Sequence, residues 1–138
     1  MITRVGILIC LVLGVSVVMA AQTEPVLSSA NIPKYPPLAC QGRVEGVVTL
    51  TFTLPANAAE PTNVEVVSGH PMLKGAALEN VKTWRLENPY AVDRKYETTF
   101  KYRLSGVEVT GARRVTVTFE SFHHVEIVTD VSQQTVSY

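Results

Sequence analysis

Apolar and polar residues alternate well from Val44 to Leu54, with Val48, Leu50, Phe52 and Leu54 on one face and Val47, Thr49, Thr51 and Thr53 on the other. A period of two with many β-branched side chains predicts a strand half-buried against a core. Pro55 to Pro61 reads as a loop, and Asn63 to Val67 as a shorter strand forming an antiparallel hairpin with the first. The period then changes. From Met72 to about Leu86, Leu73, Ala77, Val81 and Trp84 recur at helical spacing beside Ala76, after the turn Ser68-Gly69-His70-Pro71, with Pro71 near the first helical position. Asn80 interrupts that stripe and needs either a place at its margin or a backbone partner. Asn88-Pro89 is the expected helix stop.

Alternation returns at Tyr96 to Leu104, where Tyr96, Thr98, Phe100, Tyr102 and Leu104 share one face and Glu97, Thr99, Lys101 and Arg103 the other. Two further strands follow, Arg114 to Glu120 and Val125 to Thr129, broken at Ser121 to His124. A short helical turn at Tyr35 to Gln41 precedes the first strand. The predicted fold is a two-layer α+β domain: an antiparallel sheet of about three to five strands with one main amphipathic helix on one face. Trp84, in line with Leu73 and Ala77, is the expected centre of the core.

The N-terminus reads differently. One arginine, Arg4, precedes an apolar run from Val5 to Ala21 that ends in Val18-Met19-Ala20, the pattern of a secretory signal cleaved near Ala20. The rival is an uncleaved inner-membrane anchor, although the run is short for a spanning helix. Cys10 lacks the small preceding residue of a lipoprotein site, so after cleavage Cys40 is the lone thiol and is expected to be buried. The sequence thus divides into a signal at 1–20, an extended tail at 21–34, a domain at 35–104, its strand extension at 105–130 and a flexible tail at 131–138. Formal charge is balanced at +0, which argues against a nucleic-acid partner.

Chemistry is hard to find. His123 and His124 are neighbours that an extended chain points to opposite faces, His70 lies apart, and no acidic or cysteine cluster stands at ligand spacing, so no metal is expected. No nucleophile-elbow or phosphate-loop motif occurs, and Glu45, Glu65 and Glu97 read as solvated strand residues. The expectation is a protein with no catalytic residue and no cofactor.

Tyr35-Pro36-Pro37-Leu38-Ala39, Val44-Glu45-Gly46-Val47-Val48, Asn63 through Ser68-Gly69, and Leu73 through Ala77-Leu78 to Thr83-Trp84-Arg85 together resemble the TonB C-terminal domain family, with Tyr35, Pro36, Gly46, Ala77, Leu78 and Trp84 as motif residues. The resemblance covers Tyr35 to Leu104. It implies a periplasmic domain that captures an extended peptide of an outer-membrane transporter as an added strand. The receiving edge it implies is the third strand, through Tyr96, Thr98, Phe100, Tyr102 and Leu104. Three features depart from the family: no retained membrane helix, a tail that spans at most ~50 Å, and extra strands at Arg114 to Thr129 that can cover that edge. The expected function is therefore binding of an envelope protein or peptide. The alternatives are a membrane-anchored energy transducer, which requires an uncleaved N-terminus, and a structural homo-oligomer such as a homodimer.

Overall fold

A computed structural model describes residues 24–132 of the chain. The segment expected to be a signal sequence, with Cys10, and residues 133–138 fall outside the described residues. Among those described, no helix is long and apolar enough to cross a membrane.

The elements run β1 (Val26–Ser29), α1 (Pro37–Gln41), β2 (Gly46–Leu54), β3 (Thr62–Ser68), α2 (Pro71–Val81), β4 (Arg85–Glu87), β5 (Arg94–Val109), β6 (Val115–Ser121) and β7 (His124–Ser132). Five strands form the main sheet in the order β3-β2-β5-β7-β6, and β1 pairs with β4 in a separate two-stranded sheet. The architecture is α+β, as the patterning predicts. The β2–β3 hairpin is antiparallel, and β2 pairs antiparallel with β5 from Gly46 opposite Tyr102 to Leu54 opposite Arg94.

The core lies where the alternation puts it. Val48, Leu50, Phe52 and Leu54 are buried on one face of β2, as are Thr98, Phe100 and Tyr102 on β5 and Val125, Ile127 and Val131 on β7. Leu73, Ala77 and Val81 of α2 and Ala39 and Cys40 of α1 complete the same cluster. Trp84 is its hub: the indole stacks on Phe100 at 5.9 Å and meets Phe52 edge-on at 6.0 Å. Cys40 is a free, buried thiol.

Four details correct the sequence reading. The helix stops at Val81, not near Leu86, so Trp84 lies beyond it. The Thr83 hydroxyl donates to the Asn80 carbonyl at 2.6 Å while the amides of Thr83 and Trp84 bond three residues back, which tightens the last turn and frees the chain to become β4. Residues 26–29 are not a bare tail but strand β1, held by β4 from Val26 opposite Glu87. Val131 and Ser132, expected to open a flexible tail, belong instead to β7, with Val131 buried. The sheet is also mixed, because β7 runs parallel to β5. The chain leaves β5, skips one position to lay down β6, and turns back through Phe122-His123 so that β7 fills the gap.

Gly69 allows the close passage between β3 and α2. Its φ is +150°, and a Cβ there would lie 2.9 Å from a methyl of Val48. Gly46, by contrast, meets only Leu73 at an ordinary 3.6 Å.

Candidate binding edges of the sheet

A strand can accept a guest only where its backbone N–H and C=O groups lack a neighbour. The five residues expected to form a receiving edge do lie on one face of one strand, but that strand is interior. β5 is flanked by β2 on one side and by β7 on the other, with β7 paired from Thr99 opposite His124 to Leu104 opposite Thr129. Its side chains are committed inward. Phe100 and Tyr102 are fully buried, and Tyr96 packs between Phe52 at 5.8 Å and Phe122 at 5.4 Å. Thr98 is buried with an unpartnered hydroxyl. At the far end the Leu104 amide donates to the Glu45 carboxylate at 2.6 Å, so Glu45 is not simply a solvated strand residue.

The motif residues are structural as well. The Tyr35 hydroxyl donates to the Val44 carbonyl, and its ring meets Tyr102 edge-on at 5.4 Å. Burial pushes the Tyr35 phenol up to about 12, helped by the negative fields of Glu45 and then Cys40. Burial raises Tyr102 further, with Tyr35 adding to it. Tyr96 is raised too, chiefly by desolvation, and Arg94 beside it offsets part of the effect. Pro36 caps α1, Gly46 opens β2, Ala77 is buried in α2 and Leu78 packs at the core margin.

The true edges are β3 and β6. β3 is irregular: its ladder with β2 shifts register between Thr49 and Leu50 and again between Thr51 and Thr53. Asn63, near its start, has φ of +49°. Bulges of this kind twist an edge away from partners. β6 has no such protection between Val115 and Phe119, where it pairs with β7 without a break, and Glu120 is the only charged residue within the strand. Six of its seven residues are exposed, including Val115 and Phe119.

One hydrogen bond fixes which groups of β6 face outward. The Asp130 amide donates to the Arg114 carbonyl at 3.1 Å. In an antiparallel ladder the bonded residues alternate, so Arg114, Thr116, Thr118 and Glu120 turn their backbone toward β7. Val115, Val117 and Phe119 therefore present theirs to the open side. No sequence pattern singled out these three residues as a site, although a β-branched alternation without an edge-guarding charge was visible.

Beside the end of β6 a groove of about 430 Å³ runs between it and β1, lined by Pro25, Val26, Leu27, Phe119 and Phe122 with Glu24 and Glu120 at its rim. His123 ties the two walls together. Its Nδ1 lies 3.0 Å from the Glu97 carbonyl, its Nε2 3.4 Å from Glu24, and its ring rests on Phe122 at 3.9 Å. Among the described residues no three His, Cys, Asp or Glu side chains converge as a metal site would require.

A family model described as the Gram-negative bacterial TonB protein C-terminal matches residues 31–104. Strands β6 and β7 lie outside that match. No curated protein matches the chain. A solution NMR structure of the Pseudomonas aeruginosa TonB C-terminal domain is similar over 58% of this chain and 86% of that one, with 23% identity and a TM-score of 0.48.

Proposed function

The chain belongs to the family of Gram-negative TonB C-terminal domains, and from that premise we propose that it is a periplasmic protein-binding domain that adds an extended segment of another envelope protein to its sheet along β6. The family's work is non-catalytic energy transduction in envelope transport. In this reading residues 1–20 direct export, and the partner is the periplasm-facing segment of an outer-membrane transporter. Backbone hydrogen bonds to Val115, Val117 and Phe119 provide affinity, and the groove beside Phe119 selects side chains.

The observation that carries this assignment is that β6 is regular from Val115 to Phe119, exposed and open along one side, whereas β5 is paired on both sides from Thr99 to Leu104. A guest along residues 99–104 of β5 must first remove β7 and expose Val125, Ile127 and Val131, which are at most 5% exposed. At about 1.5–3 kcal/mol for each buried aliphatic side chain, that costs roughly 5–9 kcal/mol, comparable to the whole stability of a small domain. Pairing on β6 carries no such penalty.

The test is an NMR titration of the exported chain with peptides from the periplasmic ends of transporters in the same cell. Shifts concentrated at 115–121 are expected, and they should vanish in Val115→Pro, which removes an outward N–H and leaves the β6–β7 ladder intact. Shifts confined to 94–104, or none with any such peptide, overturn the assignment.

A further inference from the structure

The open side of β6 is complementary to itself. Its outward-facing residues are Val115, Val117 and Phe119, so a second β6 can form an antiparallel ladder with Val117 opposite its own copy on a two-fold axis. In that register Val115 stands opposite Phe119 twice, by symmetry, on the face that carries the core. These are the two large apolar side chains that β6 leaves exposed, at 47% and 37%. On the other face Thr116 meets Thr118, and Arg114 stands opposite Glu120, again twice. Neither of those charged groups has an ion-pair partner among the described residues. They fall at the non-hydrogen-bonded positions, where opposing side chains approach most closely.

A shift of the axis by one residue onto Thr118 places Val117 opposite Phe119 but Glu120 opposite Thr116 and Val115 opposite Ser121, which loses both charge pairs and leaves Val115 without an apolar partner. A single register therefore satisfies charge, apolar surface and backbone together. We propose that the resting partner of β6 is a second copy of this chain, joined through β6 about Val117, so that two five-stranded sheets become one continuous sheet. The proposal rests on the same open edge as the peptide-capture reading but does not require that a foreign peptide bind. If both hold, the dimer shields the edge until a partner displaces it.

Disulfide trapping in the cell envelope tests this on the full chain, in a Cys10→Ser background so that Cys40, which is buried, is the only native thiol. Val117→Cys is expected to give an oxidant-dependent dimer on a non-reducing gel. Thr118→Cys is not, because in this register it faces its own copy only diagonally, beyond disulfide reach. Glu120→Arg on the Val117→Cys chain should slow trapping about tenfold through loss of the two symmetric pairs, and adding Arg114→Glu should restore it. Absence of a Val117→Cys dimer in chain that resists protease like the parent overturns the proposal. A Thr118→Cys dimer, or an unchanged rate in Glu120→Arg, does so as well. The two readings separate cleanly. A transporter peptide that shifts β6 in a chain showing no trapping leaves capture standing without the dimer. Trapping with no effective peptide leaves the dimer standing without capture.

Discussion

The side-chain oxygen of Asn80 accepts a hydrogen bond from the Trp84 indole at 2.9 Å, four residues further on. The amide nitrogen of the same side chain donates to the Asn31 carbonyl at 2.8 Å. The one polar residue in the apolar stripe of α2 thus satisfies the largest side chain of the core and anchors the segment between β1 and α1. Replacing it by alanine strands a buried N–H and a carbonyl. An unsatisfied buried group costs about 1–3 kcal/mol, so Asn80→Ala should lower the unfolding free energy by about 2–4 kcal/mol in urea melts followed by Trp84 fluorescence. A loss below about 0.5 kcal/mol would mean the pair is not formed in solution.

Because β7 contributes fully buried residues, it should behave as an integral strand and not as a detachable flap. Ile127→Ala is expected to cost about 2–5 kcal/mol, and Val115→Ala at an exposed position of the neighbouring β6 far less. The complementary measurement is hydrogen exchange: the amides of Ile127 and Tyr102 should open only with global unfolding. Early exchange of Ile127 alone would restore β5 as an accessible edge.

Gly69→Ala should destabilise on two counts, a positive φ that an L side chain resists and a Cβ that would meet Val48 at 2.9 Å. A loss of about 1–3 kcal/mol is expected, partly relieved in the double variant with Val48→Ala. Gly46→Ala, with ordinary spacing to Leu73, serves as the mild control.

The raised phenols set a sign for alkaline stability. In the unfolded chain tyrosine ionises near 10, whereas folded Tyr35 holds its proton to about 12. Between those values the unfolded state has released a proton that the folded state still binds, so stability falls as pH rises; below about 10 the contribution is fully present. Tyr102 acts in the same direction. Denaturant midpoints should fall from about pH 10 to about pH 12, and Tyr35→Phe should flatten that slope. A midpoint that rises over the same window contradicts the burial argument.

Much of the domain was legible in the sequence because side-chain periodicity is a local property. Val48, Leu50 and Phe52 facing inward, Phe100 and Tyr102 beside them, and Leu73 and Ala77 beneath the helix all follow from periods of two and near four. The helix end is not legible in the sequence, because Asn88-Pro89 is a strong stop signal whereas the actual stop has the Thr83 hydroxyl donating to the Asn80 carbonyl. Strand β1 escapes the sequence pattern because Val26–Ser29 is short and its ladder partner, β4, lies far along the chain.

The sequence by itself determined which residues are apolar on which face, that a helix covers a sheet, and that Trp84 lies at the centre. Those outcomes depend on alternation and side-chain size, which any register must respect. Only the tertiary structure decided which strands become neighbours. A period of two says which way a side chain points but not what lies alongside the backbone. β7 took the place beside β5 because the β6–β7 hairpin folds back into the gap, burying Val125 and Ile127 against Phe100 and Tyr102. That long-range choice covered the expected edge from Thr99 to Leu104 and moved the open edge on that side of the sheet to β6.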